Sequence, residues 1–251
     1  MNFRKTIIFW VLIIVAIVWL LPQSFDLKLS NLLYRREKGD TRQLIDTNKI
    51  PWVAVGRLRL PNSICTATLI NPDIIISARH CFGNKKKPFP IKKIIFQLER
   101  NGKFDDIANL SRVYYPSQKK LSRQSGRIKN DYAFATLSKP VDIKKYGIVF
   151  PNIATTSAKK GKILLQGGYG ANKNKLYGDK CMIIAVNSSF MIQHNCLITF
   201  GDSGGPVFYQ QGNQWYLAGI NNVFQQIALV QNAFAIGPEN YYQDLQTYLK
   251  Q

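Results

Sequence analysis

Gly-Asp-Ser-Gly-Gly-Pro, residues 201–206, carries the strongest signal for the chemistry of this chain, because it places Ser203 on a glycine-rich turn. A serine hydroxyl is a poor nucleophile until a neighbouring base takes its proton. Flanking glycines let backbone N–H groups approach the oxyanion that develops on an attacked carbonyl. The stretch therefore predicts Ser203 as a nucleophile, with the amides of Gly201 and Ser203 as the oxyanion hole.

The same residues satisfy the Gly-x-Ser-x-Gly pattern of α/β-hydrolases, so the turn alone leaves two unrelated folds open. An α/β-hydrolase places its histidine after the serine, whereas the two histidines of this chain, His80 and His194, both precede Ser203. The order histidine, aspartate, serine is that of the chymotrypsin triad, and it separates the two folds.

Short apolar or alternating runs between turn signals predict an all-β fold from Pro51 onwards. The predicted strands are 52–57, 64–70, 74–77, 94–98, 132–137, 162–166, 182–186, 206–209, 215–220 and 227–230. A closing helix is predicted over 239–249, because Tyr242, Leu245 and Leu249 recur at helical spacing.

From about Pro51 to the end, the chain resembles the trypsin-like, chymotrypsin-fold serine proteases, particularly their bacterial members. The resemblance rests on four motifs: Ser-Ala-Arg-His-Cys at 77–81, Asn-Asp-Tyr-Ala at 130–133, Gly-Gly-Tyr-Gly at 167–170, and residues 201–206. It implies two six-stranded antiparallel β-barrels with the site in the cleft between them, a C-terminal helix, and an N-terminal apolar helix ahead of the barrels.

The resemblance also implies a catalytic triad of His80, Asp131 and Ser203. His80 would act as general base and then general acid, while Asp131 would hold its tautomer. Asp131 leads directly into an apolar strand, which favours it over the other aspartates between His80 and Ser203, namely Asp105, Asp106, Asp142 and Asp179. His194 is interpreted as structural.

The first 49 residues are interpreted as an export segment followed by a linker. Arg4 and Lys5 precede an apolar stretch over 7–21, which is typical of a signal peptide or a membrane anchor spanning residues 1–24. Because the cleavage signal after this stretch is weak, an uncleaved anchor is favoured. Residues 25–49 form the predicted linker and 50–251 the protease domain. The domain is then expected outside the cytoplasm, anchored to the membrane, or secreted or periplasmic if the signal is cleaved.

Four cysteines in an exported chain favour two disulfides, although four cysteines allow three pairings. The preferred pairs are Cys65 with Cys81, next to His80, and Cys181 with Cys196, in the segment leading to Ser203. The competing zinc site is disfavoured because no Cys-x-x-Cys spacing occurs. No metal and no organic cofactor are implied.

The formal charge of +20 belongs mostly to the domain, since the first 21 residues carry only two of the positive charges. A solvated surface is the simpler interpretation, and attraction to an anionic surface is the alternative. Specific nucleic-acid binding is not expected, because no nucleic-acid recognition motif accompanies the charge.

Two departures from the family concern specificity and activation. Members that cleave after Lys or Arg have an aspartate six residues before the serine, where this chain has Leu197, followed by Ile198. With Asn222 and Phe224, these residues form the predicted substrate pocket, which favours small or apolar side chains. No clear activation site precedes Ile50, so either Asp202 finds a partner within the chain or processing occurs that the sequence does not reveal.

The sequence therefore predicts a serine endopeptidase acting on protein or peptide substrates through an acyl-enzyme. The alternative from another class is a catalytically inactive, basic binding module on a protease scaffold, with its cleft blocked by Phe200 or Phe224. An esterase on the same fold would share the chemistry.

Overall fold

The computed structural model describes residues 42–84, 87–116, 128–170, 175–227 and 230–250. The predicted apolar helix within residues 1–24 and most of the predicted linker lie outside these ranges. In the described ranges, no helix has the length and apolar character needed to cross a membrane.

Strands dominate the described chain. In order they are β1 Gln43–Leu44, β2 Val55–Arg59, β3 Ile64–Asn71, β4 Ile74–Ala78, β5 Gly83–Asn84, β6 Lys87–Pro88, β7 Ile95–Arg100, β8 Lys103–Tyr114, β9 Tyr132–Leu137, β10 Asn152–Ile153, β11 Ile163–Gly168, β12 Tyr177–Val186, β13 Met191–His194, β14 Pro206–Gln211, β15 Gln214–Ile227 and β16 Val230–Ile236. The α-helices whose bounds lie within the described ranges are α1 Ile143–Tyr146 and α2 Tyr242–Leu249, and short 3₁₀ turns span Trp52–Ala54, Arg79–Phe82, Ile91–Lys93 and Pro238–Asn240.

The strands form two antiparallel six-stranded barrels, which confirms the predicted fold. The first closes in the order β2-β3-β4-β9-β8-β7. The second is the ring β11-β12-β13-β16-β15-β14, in which β12 pairs with both β11 and β13. β1 adds to β12 outside this ring, and β10 runs parallel to β15.

Strands β4 and β9 are buried on both faces, which explains why they read as continuous apolar runs rather than as alternating ones. On β4, Ile75 and Ala78 belong to the core of the first barrel, whereas Ile74 and Ile76 belong to a second cluster shared with the other barrel and α2. The paired ends of β4 and β9 therefore lie at the junction of the barrels, where the site residues of the first barrel follow them.

The C-terminal helix is confirmed, with a difference in its buried face. Leu245 and Tyr248 are buried, whereas Leu249, which the spacing placed on the apolar face, is 42% exposed. Asp244 accepts a hydrogen bond from Tyr132 Oη at 2.6 Å. The helix thus packs on β9 through an aromatic and polar contact as well as through Leu245.

Two stretches near the start of the domain differ from the sequence prediction. Residues 52–54 form a 3₁₀ turn, so the first barrel strand begins at Val55. Residues 42–49, assigned above to the linker, join the second barrel, because Gln43 and Leu44 pair with Gly178 and Tyr177 of β12. The contacts of this segment matter for the site.

Candidate functional site

His80 and Asp131 are brought together by the pairing of β4 with β9. Ala78 pairs with Tyr132, so the turn that follows β4 lies beside the residue that precedes β9. Asp131 Oδ1 accepts a hydrogen bond from the backbone N–H of His80 at 2.9 Å, and Asp131 Oδ2 lies 2.6 Å from His80 Nδ1. One carboxylate therefore fixes both the main chain and the ring of His80.

This contact determines which ring nitrogen of His80 is available for chemistry. With the carboxylate as acceptor, the proton of neutral His80 resides on Nδ1, which leaves Nε2 as an acceptor. Burial lowers the pKa of His80, but the hydrogen bond to Asp131 and its negative charge outweigh burial and raise the pKa overall. The Asp131 contact thus stabilises the imidazolium, which is the form that the predicted general base would reach on taking a proton.

The raised pKa of His80 gives the predicted triad a testable pH dependence. As the predicted general base, His80 would accept a proton only in its neutral form, so we expect kcat/KM to rise with pH through a midpoint above the ordinary histidine value of about 6.5. The measurement is kcat/KM against pH with an ester that does not itself titrate, together with circular dichroism to confirm that the fold persists. A midpoint at or below 6.5 would contradict this reading of the Asp131 contact.

Ser203 lies on a tight loop with two residues of positive φ, Gly201 at 99° and Gly204 at 80°. The Asp202 N–H donates to the Thr199 carbonyl at 3.0 Å, and the Gly204 N–H donates to the carbonyl of Asn221 on β15 at 2.8 Å. Within the described ranges, the N–H groups of Gly201 and Ser203 donate to no protein acceptor. The two predicted oxyanion donors are thus available on this loop.

Thr66 on β3 ties the serine loop to the first barrel. Its N–H donates to the Ser203 carbonyl at 2.9 Å, and its hydroxyl donates to the Gly201 carbonyl at 2.9 Å. The hydroxyl also accepts from the Tyr169 N–H at 2.8 Å, while Ser77 donates to the Thr66 carbonyl at 2.7 Å. A single buried threonine therefore links both barrels to the loop, a role that its sequence context did not signal.

Asp202 is completely buried beside Ser203, and its partner is Arg42. Arg42 Nη1 lies 2.5 Å from Asp202 Oδ2, with side-chain exposures of 2% and 0%. The same oxygen accepts from the Thr199 N–H at 2.7 Å. Of the two alternatives left open by the sequence, the structure contains the internal partner for Asp202.

The predicted pocket residues occupy different environments. Ile198 is buried, and Leu197 is half-buried, with its N–H donating to Asp179 Oδ2 at 3.2 Å. Asn222 Nδ2 donates to the carbonyl of Ile128 at 3.1 Å. The side chain of Phe224 lies outside the described part of the structure.

Asn222 therefore has a structural contact that the sequence did not suggest. The Ile128 carbonyl that it contacts also accepts from the N–H of Asp131 at 3.1 Å. A side chain of the second barrel thus braces the segment that carries Asp131, which is compatible with a position at the edge of the cleft.

The other aspartates considered for the triad are engaged elsewhere. Asp105 accepts from Tyr146 Oη, Asp106 pairs with Arg59, Asp142 caps α1, and Asp179 accepts from Leu197. His194 is buried on β13, paired with Ile183 and Ala233.

The four cysteines form the two expected disulfides, Cys65–Cys81 and Cys181–Cys196. Cys65–Cys81 joins β3 to the turn that carries His80. Each disulfide has a histidine nearby, His80 and His194 respectively. Because the sulfur atoms are covalently joined, these groups do not offer the thiolates that a zinc site needs.

Comparison with protein families places the chain by sequence. The family model described as Trypsin matches residues 41–243. This chain belongs to the trypsin family. The match includes residues 41–49, in agreement with the contacts of β1.

Two curated relatives of the trypsin-family chain are proteases. Glutamyl endopeptidase of Bacillus licheniformis is 23% identical over 185 residues, covering 72% of this chain and 56% of the relative. Submandibular glandular kallikrein-9 of Rattus norvegicus is 25% identical over 200 residues, covering 64% of this chain and 71% of the relative. The chain thus spans little more than half the length of the Bacillus enzyme.

Solved structures with the same fold include one described as an endopeptidase and one described as an inactivated protease paralogue. A Glu endopeptidase in complex with MPD aligns with a TM-score of 0.67 and 17% identity, over 84% of this chain and 97% of that one. The scabies mite inactivated protease paralogue S-I1 aligns with a TM-score of 0.63 and 18% identity, over 83% and 98%. At these identities the likeness establishes the fold alone.

Proposed function

We propose that this chain is a serine endopeptidase, with His80, Asp131 and Ser203 as its triad. The observation that carries the proposal is the double contact of the Asp131 carboxylate with the N–H and ring of His80. A carboxylate that orients a histidine and leaves Nε2 as an acceptor is the arrangement that activates a serine. Membership of a family with protease relatives supports serine-type peptidase activity in general.

Acylation begins when Ser203 Oγ attacks the carbonyl carbon of the scissile peptide bond and transfers its proton to His80 Nε2. The carbonyl π electrons move onto oxygen, and the N–H groups of Gly201 and Ser203 stabilise that oxyanion. Asp131 stabilises the imidazolium without taking its proton. His80 then protonates the departing amine, which leaves an acyl ester on Ser203.

Hydrolysis of the acyl ester repeats the same proton transfers with water as nucleophile. His80 Nε2 accepts a proton from the water as its oxygen attacks the ester carbonyl, and then returns a proton to Ser203 Oγ as the ester bond breaks. The products are a free carboxylic acid and the regenerated serine. An esterase would use the same steps, so comparison of peptide and ester substrates separates the two activities.

A catalytically inactive binding module is the competing function, and it is motivated by the fold likeness to an inactivated protease. One form of that hypothesis has Phe200 blocking the cleft. Phe200 is instead 76% exposed, which argues against a side chain buried in the cleft. A binding module also has no need of the Asp131–His80 arrangement.

Fluorophosphonate labelling of the full chain tests the proposed function, because this probe reacts with an activated serine without knowledge of the substrate. We expect labelling of the wild-type protein and its loss in Ser203→Ala and His80→Ala. Ser63→Ala, which alters an exposed serine in the loop between β2 and β3, is the matched control and should label normally. A folded wild-type protein that does not label, or a Ser203→Ala variant that does, would refute the proposal.

The proposed substrate is a protein or peptide cleaved after a small or apolar residue, because Leu197 stands where basic specificity would require an aspartate and is followed by the apolar Ile198. Cleavage of a peptide library by the unlabelled wild-type enzyme, with Ser203→Ala as the inactive control, tests this preference. Two disulfides support a location outside the reducing cytoplasm.

A further inference from the structure

An N-terminal strap, residues 42–46, carries Arg42 to the serine loop. The strap is held by the pairing of Gln43–Leu44 with β12 and by the Ile45 N–H, which donates to the Leu176 carbonyl at 2.9 Å. Ile45 also packs over Gly167, where a Cβ atom would lie 3.0 Å from Ile45 Cδ1. The strap is therefore a fixed part of the second barrel, and its position determines where the Arg42 guanidinium lies.

Glycines 168 and 170 of the Gly-Gly-Tyr-Gly motif leave room for the ion pair. A Cβ atom on Gly168 would lie 2.5 Å from Asp202 Oδ1 and 2.7 Å from Asp202 Cα. A Cβ atom on Gly170 would lie 2.7 Å from Thr199 Oγ1 and 3.3 Å from Arg42 Nη2. The Gly-Gly-Tyr-Gly motif thus packs closely around Arg42, Thr199 and Asp202.

The ion pair holds a turn, residues 199–202, that contains one predicted oxyanion donor and leads directly to the other. Thr199 and Asp202 close this turn through the Asp202 N–H and through the Asp202 carboxylate, which accepts from the Thr199 N–H. Gly201 lies inside the turn and Ser203 follows it. Removing the cation would deprive the buried Asp202 carboxylate of the positive charge 2.5 Å from its Oδ2, and a buried carboxylate that loses its ion pair responds by rearranging or by protonation. Either response moves the N–H groups of Gly201 and Ser203.

We propose that Arg42 is the positioning residue of the serine loop, so that the oxyanion hole is assembled without a new N-terminus released by cleavage near Ile50. The strap supplies from within the chain the cation that Asp202 needs. This inference rests on the proposed function, since it concerns the competence of that same site. It predicts that the active species retains Arg42.

Kinetics of the full-length Arg42→Ala variant test the positioning role. We expect kcat to fall by about 10²–10³-fold, the scale of losing an oxyanion donor, with little change in KM. Arg42→Lys, which keeps the charge but not the planar fork, should recover part of kcat. Low-millimolar guanidinium ion should also restore part of kcat to Arg42→Ala by filling the vacated site, a response that a merely structural defect would not show.

Arg59→Ala is the matched control, because Arg59 forms an exposed ion pair with Asp106 at 3.0 Å, with side-chain exposures of 48% and 54%. It should leave kcat unchanged and show no response to guanidinium. A folded Arg42→Ala variant with wild-type kcat would overturn the inference. If Arg42→Ala does not fold, Arg42→Gln, a neutral side chain of similar length, is judged by the same criteria.

Intact mass spectrometry of the fluorophosphonate-labelled wild-type protein tests the second part of the inference. We expect the labelled species to begin before Arg42. Labelling confined to species cut between Arg42 and Val55 would overturn the inference while leaving the proposed function intact. Absence of labelling in every wild-type species would instead count against the proposed function itself.

Discussion

Asp131→Asn is expected to lower kcat by about 10⁴-fold, the scale of loss when the carboxylate of a serine-protease triad is made neutral. Asp131 accepts hydrogen bonds from both the N–H and the ring of His80. An asparagine can keep the backbone contact, but its NH₂ group facing Nδ1 would favour the tautomer with the proton on Nε2. That tautomer cannot accept a proton from Ser203. Steady-state kinetics with an activated ester measure the change.

Asp105→Asn is the control for this prediction, because Asp105 was an alternative third member of the triad and the structure places it against Tyr146 Oη. It should leave kcat near the wild-type value. Equal losses in the two variants, or a folded Asp131→Asn variant with wild-type kcat, would contradict the assignment of Asp131. Circular dichroism and thermal unfolding show whether each variant is folded, and so distinguish a change of the His80 tautomer from unfolding as the cause of lost activity.

Gly204→Ala is expected to destabilise the fold severely. A Cβ atom at this position would overlap Ser77 Oγ and the carbonyl oxygen of Thr66, and would lie 2.7 Å from the amide nitrogen of Ala78. Two of these three atoms belong to the backbone of β3 and β4, which is held in the first barrel. Overpacking in such sites costs about 1–3 kcal/mol, and the positive φ of 80° adds about 1–2 kcal/mol for a residue with a Cβ atom.

Gly161→Ala separates these two contributions. Gly161 has a φ of 84°, close to that of Gly204, but nothing lies within 4 Å of a Cβ atom placed there. Gly161→Ala should lose only the stability associated with a Cβ-bearing residue at positive φ. Urea unfolding should therefore give it a clearly higher free energy of unfolding than Gly204→Ala. Equal free energies of unfolding for the two variants would mean that the overlap around residue 204 is relieved without loss of stability, which would contradict this prediction.

Residues of both barrels contact the loop that carries Ser203 or position the residues beside it. The first barrel supplies His80 and Asp131 at the ends of β4 and β9, and Thr66 reaches from β3 to the carbonyls of Gly201 and Ser203. The second barrel supplies the loop itself and Asn222, which braces the segment before Asp131. Substitutions that loosen the junction should therefore reduce activity before they unfold either barrel.

Much of this organisation was predictable from local sequence. The turn around Ser203 needs glycines at positions of positive φ, and such positions leave a readable pattern. Apolar or alternating runs bounded by turns located most barrel strands, because a strand buried on both faces is apolar throughout and a strand buried on one face alternates. The C-terminal helix was predicted from the helical spacing of its apolar residues, although Tyr248 rather than Leu249 is buried together with Leu245.

The sequence alone thus determined the family, the two-barrel fold and the candidates His80, Asp131 and Ser203. Only the tertiary structure decided the partner of Asp202, since Arg42 lies 160 residues away and belongs to a segment without periodicity. The same holds for Thr66 and Asn222, whose roles depend on contacts between strands distant in sequence. Local sequence patterns reflect interactions between residues that are close in the chain. A buried ion pair or a bridging hydroxyl instead depends on residues that only the folded chain brings together.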